Sequence, residues 1–428
     1  MGYRDWRWLK WIALRRKALV PHLDSNPVGA LAVRGGEPVR RKPWPSWPVW
    51  SERELELLKQ VLESGYWGGG VGESGPWERR FEEAFARRHG CRYGIAVSSG
   101  TAALHVAMLA AGVGPGDEVV VPALTYWATG AAALMCGATV VVVDVDPETL
   151  CMDAGEAERA LSERTKALVP VYNYGSAPDM DALRKLAEER GLYLIEDCAR
   201  AHGFEWSGRP AGSIGDAGCF SFQQSKFVTA GEGGIVVTNS EELAEKCYAI
   251  KDCGRVRGRV YWEGGRYWLN WYNYRMTQFQ AAILLAQLER LDEQLKRRQE
   301  NSEYLSKRLS EIEGVEPVKV PQRLTKHQPW PYAFKYDPKA FGGAPVWRFV
   351  EALRAEGVPA GRIDHPPLYE TLGSAPPGRV VRRGRYPAAK MAVERLVTIP
   401  QHVFLADRSD MDDIVEAVLK IKKHAGEL

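Results

Sequence analysis

The sequence predicts an α/β protein with a mostly parallel central sheet and a smaller second domain. Three observations carry that prediction. Between about residues 90 and 240, short β-branched or apolar runs (YGIAV, EVVVP, ATVVVVDVD, KALVPVY, LYLIED, GCFSF, GIVVT) alternate with helical stretches such as TAALHVAMLAAG, PETLCMDAGEAERAL and DMDALRKLAEERG. The runs are continuously apolar, as strands covered on both faces require. The chain is 428 residues long, 45% hydrophobic and 26% charged, which gives room for a large core and an appendage.

In chain order, MGYRDWRWLKWIALRRKALV is basic and can form an amphipathic helix. It has neither a continuous apolar core nor a small-residue cleavage site, so it is read as a terminal extension that packs on the protein or a second subunit, with a membrane-surface helix as the alternative. GEPVRRKPWPSWPVW (36–50) is proline-rich and aperiodic, hence an extended arm. SERELELLKQVLESG (51–65) has a Ser cap, an acidic first turn and a terminal Gly, hence a helix. The formal G-x-G-x-x-G at Gly70, Gly72 and Gly75 follows a helix, not a strand, and is rejected as a dinucleotide site. Residues 278–312 read as one long amphipathic bridging helix, and 313–428 as a smaller α+β domain with helices at EALRAEG and MDDIVEAVLKIKK. The expected division is therefore 1–50 extension and arm, 51–277 large domain, and 278–428 bridging helix and small domain.

A net charge of +3 directs the chain neither to nucleic acid nor to an acidic membrane. Seven scattered cysteines without a C-x-x-C fit a reducing cytoplasm, and no run reaches the ~18–20 apolar residues of a membrane span. The eight histidines form no ligand-like cluster, so no metal is expected.

In a parallel sheet, ligands sit outside the carboxyl ends of the strands, and four strand ends here carry unusual residues. After YGIAV, a Ser-Ser-Gly-Thr turn opens a helix whose free N–H groups suit a phosphate, although Ser and Thr cap helices generally. After EVVVP, Tyr126 or Trp127 offers a ring to stack on a planar ligand, or simply core packing. After LYLIE, Asp197 ends an apolar strand, where a carboxylate needs a cationic or donor partner, be it ligand, helix cap or ion pair. In SFQQSKFVTAGEGG, Lys226 stands between a strand end and a glycine cluster, either a surface charge or a desolvated amine nucleophile. The set meets the needs of pyridoxal 5′-phosphate: a helix N-terminus for the phosphate, a carboxylate for the pyridinium nitrogen and a lysine amine for a Schiff base.

From about residue 30 onward the chain resembles the DegT/DnrJ/StrS family of sugar aminotransferases, of pyridoxal-phosphate fold type I. The resemblance lies in ESGYWGGG, FEEAF, VSSGTAAL, GVGPGDEVVVPALT, GATVVVVDVD, IEDCARAHG, SIGDAGCFSF, SKFVTAGEGGIVVTN and YNYRMTQFQAAI, in the family's order. It implies that Lys226 forms the Schiff base, Asp197 partners the ring nitrogen, Gly100, Thr101 and Ser221 bind the phosphate, and Tyr126 stacks on the ring. Asn273 would reach the cofactor phosphate of a neighbouring subunit, implying a homodimer with shared active sites. Arg200 replaces the family's usual Gln beside the cofactor, where it adds a charge or meets a substrate carboxylate, and Tyr172 replaces a frequent His. The implied reaction is a ping-pong transamination from glutamate or glutamine to a keto-sugar or a keto-cyclitol such as scyllo-inosose. QQSK…TAGEGG and GGEPVRRKPWPSWP resemble the cyclitol and aminoshikimate-type branch more than the nucleotide-sugar branch. The rival readings are a family dehydratase, which would carry His in place of Lys226, a regulatory homologue that binds the cofactor without turnover, and a nicotinamide oxidoreductase, which would need the rejected glycine fingerprint.

Overall fold

The computed structural model describes residues 30–69, 73–255, 272–363 and 366–428. The amphipathic reading of the N-terminal 20 residues, and Gly70 and Gly72, lie outside them.

The apolar runs form one eight-stranded sheet. Its strands are β1 (Tyr93–Val97), β2 (Glu118–Pro122), β3 (Thr139–Val143), β4 (Thr165–Leu168), β5 (Tyr193–Asp197), β6 (Ala217–Ser221), β7 (Gly234–Thr238) and β8 (Val380–Arg382), in the order β1-β7-β6-β5-β4-β2-β3-β8. β7 runs antiparallel to both β1 and β6, and the remaining pairs are parallel. Both faces are buried, as the continuous apolar runs require: Val119, Val121, Val140 and Val142 pack on one side, Val120, Val141 and Val143 on the other. β8 comes from the C-terminal part of the chain, so the sheet extends across the sequence boundary expected at 277/278.

A separate four-stranded antiparallel sheet joins Val315–Pro317, Tyr332–Tyr336, Leu396–Ile399 and Gly361–Arg362, with its own core under the helices Val346–Ala355 and Arg408–Lys423. Two expectations change in detail and a third holds. The bridge is two helices, Gln278–Glu289 and Leu291–Leu309, that break at Arg290, whose guanidinium is tied to Glu54 and to the Val49 carbonyl. PETLC does not begin a helix: Asp146 Oδ1 accepts the N–H groups of Glu148 and Thr149, an Asx turn that competes with helix, and Ala154–Arg159 alone is helical. The helix expected over 51–65 forms as Glu52–Ser64, with Ser51 and Glu54 in a reciprocal capping box.

The arm is extended and strapped down at several points. Arg40 pairs with Asp410 and Asp413, and Trp44 Nε1 donates to the Gly357 carbonyl. Farther along, Trp47 Nε1 donates to the Gln224 carbonyl at 2.8 Å, which carries the arm to the loop that bears Lys226. No helix among the described residues is long and apolar enough to cross a membrane.

Candidate active site

A cavity of about 430 Å³ opens at the carboxyl ends of β1, β2, β5 and β6. Seven of the eight residues singled out from sequence line it: Gly100, Thr101, Tyr126, Asp197, Arg200, Ser221 and Lys226. Asn273 does not line it; it is exposed on a segment that bridges to Asp252.

At the β1 end, Ser99 caps the helix Gly100–Ala110, its side chain accepting from Ala102 N–H at 3.1 Å, so that the first turn's amides face the cavity. Two close approaches build this corner. A Cβ on Gly100 would lie 2.6 Å from Ser221 Cβ, and one on Gly234 would lie 2.3 Å from the Ser99 carbonyl oxygen. Only glycine lets the turn, β6 and β7 come together and bring the Ser221 hydroxyl beside the helix N-terminus.

Asp197 and Glu196 are consecutive in β5 and so point to opposite faces. Asp197 Oδ2 accepts from Thr129 Oγ1 at 2.8 Å and Oδ1 from Ala199 N–H at 3.1 Å. Burial pushes its pKa above the usual carboxylate value, against the opposing pull of these bonds and of Lys226 and Arg200. Glu196 serves the other face: it accepts from Tyr172 Oη at 2.6 Å and from the N–H groups of Gly212, Ile214 and Gly215. Tyr172 therefore braces the sheet from behind and does not line the cavity.

Lys226 follows a tight loop in which Gln223 accepts from Ser225 through both N–H and Oγ, and Lys226 N–H returns to the Gln223 carbonyl at 2.8 Å. Its Nζ lies 3.9 Å from the centre of the Trp330 ring, with no hydrogen bond or ion pair to it among the described residues. Burial, then the Arg200 charge, lowers its pKa to about 7, with Asp197 opposing. Arg200 is bonded to Asn173 Oδ1 and faces the Tyr174 and Trp330 rings.

Of the two rings offered after EVVVP, Tyr126 lines the cavity and Trp127 packs on it at 4.3 Å; both are about half exposed. Sequence reasoning missed Thr129, Asn173 and Trp330. Thr129 lies one helical turn beyond Tyr126 in TYWAT, a signal that the spacing offered; Trp330 comes from the far side of the chain and carried none.

The set fits a pyridine phosphate. The corner at Gly100, Thr101 and Ser221 is an anion cradle, and Asp197 is a carboxylate whose pKa burial raises, which a protonated ring nitrogen would meet as a cation. The Lys226 amine is held partly neutral between them.

The DegT/DnrJ/EryC1/StrS aminotransferase family model matches residues 48–419. An L-glutamine:2-deoxy-scyllo-inosose aminotransferase of Streptoalloteichus tenebrarius is 39% identical over 424 residues, covering 93% of this chain and 99% of that protein. Among solved structures, 3-amino-5-hydroxybenzoic acid synthase superposes with a TM-score of 0.81 at 32% identity, covering 90% of this chain and 99% of its own. NtdA of Bacillus subtilis, solved with bound PMP, gives 0.74 at 26% identity, covering 87% and 82%. The fold type read from the motifs is thereby borne out, and the chain belongs to the DegT/DnrJ/EryC1/StrS aminotransferase family.

Proposed function

We propose that this aminotransferase moves an amino group from L-glutamine to the ketone of a cyclitol related to 2-deoxy-scyllo-inosose, using pyridoxal 5′-phosphate. The observation that carries the reading is a lysine amine lowered to about 7 in a cavity shared with a buried carboxylate and an anion cradle. When bound, the cofactor supplies a carbonyl that condenses with amines and a ring that withdraws electrons. Gly100, Thr101 and Ser221 would hold its phosphate, Tyr126 would cover its ring, and Asp197 would keep its ring nitrogen protonated. Lys226 Nζ, neutral for a substantial fraction of the time at neutral pH, takes the proton from the donor's α-carbon and delivers one to the acceptor carbon.

The choice of acceptor is supported by the identity to the 2-deoxy-scyllo-inosose enzyme and by a second cavity of about 270 Å³ beside the first. Trp47 and Trp330 wall it, and Thr398, Gln401 and His402 offer hydrogen bonds to ring hydroxyls. At the small end of ligand pockets, it suits one polyol ring better than a nucleotide-linked sugar. The exposed Asn273 is read as a residue for a neighbouring subunit's site, which makes the working unit a homodimer. All seven cysteines are free, in keeping with a reducing cytoplasm.

The purified holoenzyme tests this. Its near-visible cofactor band should bleach with L-glutamine and return with 2-deoxy-scyllo-inosose or scyllo-inosose. Return with a nucleotide-linked keto-sugar alone overturns the cyclitol reading, and a band that no donor bleaches marks a cofactor-binding homologue without turnover.

A further inference from the structure

Arg200, Ser225 and Trp330 stand between the two cavities and line both. The Arg200 guanidinium lies 4.7 Å from the centre of the Trp330 ring, over which Lys226 Nζ sits at 3.9 Å. Its hydrogen-bonded partners, Asn173 Oδ1 and the Tyr174 hydroxyl, are neutral, and Asp197 acts on it through its charge alone, without a hydrogen bond. Arg362 also lines the second cavity, and its guanidinium donates to a backbone carbonyl, that of Ile363, at 3.4 Å. No acidic side chain lines that cavity among the described residues. Two guanidinium groups thus face a small space beside the reactive amine, with no carboxylate paired to either among the described residues.

A guanidinium in that position is a fork for a planar anion. Of the two substrates in the proposed reaction, the cyclitol ketone is neutral. The amino donor carries a carboxylate two bonds from the nitrogen that takes the place of the Lys226 amine, hence at the boundary where Arg200 stands.

We propose that Arg200, with Arg362, binds the α-carboxylate of the amino donor. This rests on the reading of the chain as a glutamine-dependent aminotransferase. Arg200 then acts in the donor half-reaction and stays out of contact with charge in the acceptor half.

The test compares L-glutamine with L-glutaminamide, which replaces the carboxylate by a neutral amide of the same shape, as bleachers of the cofactor band in wild-type holoenzyme, R200Q and R362Q. Wild type should require ~30–100-fold less glutamine than glutaminamide. R200Q should need that much more glutamine while its requirement for the amide changes less than ~3-fold, so that the preference collapses. R362Q, on an exposed strand, should show the same loss in smaller measure, and R200K should recover part of it. The acceptor concentration that restores the band should move less than the glutamine requirement does. A wild-type preference retained in both Gln variants overturns the proposal, as does an effect confined to the acceptor half, which would mean an anionic acceptor. A wild-type band that glutamine never bleaches fails the functional reading itself and takes the proposal with it.

Discussion

Two lysines of this chain are withdrawn from water, and they are held in opposite states. Lys251, at the end of the helix Glu241–Lys251, donates to Glu78 Oε1 at 2.8 Å, Glu82 Oε1 at 3.0 Å and the Ala96 carbonyl at 2.9 Å. Burial pulls its pKa down, but Glu78 and Glu82 outweigh that pull and hold it well above the usual lysine value. Lys226 has an aromatic ring under its ammonium, a guanidinium nearby and no bonded carboxylate, and falls to about 7. Burial is common to both. What separates a structural lysine from a reactive one is whether every N–H of the ammonium has an acceptor.

The contrast breaks most sharply by exchanging what each lysine is asked to do. Lys226→Ala should lower transamination by ~10⁴-fold or more and abolish the covalently bound cofactor band, with no loss in the unfolding midpoint. Lys251→Met should do the reverse. It removes the Lys251 cation from the buried carboxylates of Glu78 and Glu82, at a cost of about 3–5 kcal/mol in chemical denaturation, while turnover of the folded fraction persists. A Lys251→Met protein as stable as wild type would mean that the carboxylates find other partners, and the comparison would lose its structural half.

A pH titration of the cofactor-free protein sharpens the same contrast. For Lys226 the folded pKa, about 7, lies below the unfolded value of 10.5, so between the two the unfolded chain binds more protons. The contribution of this group to stability therefore rises as pH climbs from about 7 toward 10.5, and Lys226→Met should remove that rise. Amine labelling at Lys226 should show a midpoint near 7. A midpoint near the ordinary lysine value would mean that Arg200 and burial do not act on the amine as drawn.

Much of this was legible in the chain, and the rest was not for identifiable reasons. The order of continuous apolar runs specifies a parallel sheet, and the same periodicity puts Asp197 and Lys226 at strand ends, because both signals are local. What escaped is contact between distant segments. β8 pairs with β3 across more than 200 residues, and its short Val-Val-Arg core has no pattern of its own. Trp330 and Trp47 reach the Lys226 loop from opposite ends of the chain through single indole N–H bonds, to the Ser225 and Gln224 carbonyls. The LIED doublet shows the same limit. Sequence marks both acids, and only the pleat decides that Asp197 faces the cavity while Glu196 receives Tyr172 and the Gly212–Gly215 turn.

The smallest predicted effect concerns a residue that the sequence did not single out. Thr129 Oγ1 donates to Asp197 Oδ2 and is itself paired with Thr125 Oγ1 at 2.9 Å, so a short hydroxyl chain steadies the carboxylate. Thr129→Val keeps the shape and removes the donor, leaving the Ala199 N–H bond to that carboxylate. A charge-assisted hydrogen bond of this kind contributes about 1.5–3 kcal/mol, part of which is recovered when a ligand cation meets the carboxylate. Cofactor affinity should therefore fall by ~10-fold, read as the concentration needed to restore the visible band to the stripped enzyme, and Thr129→Ser should restore it. Asp197, already raised by burial, should rise further in the cofactor-free variant. Because its folded pKa lies above the unfolded value, the folded form gains stability as pH falls through that folded pKa, and in Thr129→Val this gain begins at a higher pH than in wild type. An unchanged affinity in Thr129→Val would mean that the ring nitrogen alone fixes the carboxylate, and that the Lys226 half of the site is organised without help from the helix behind Asp197.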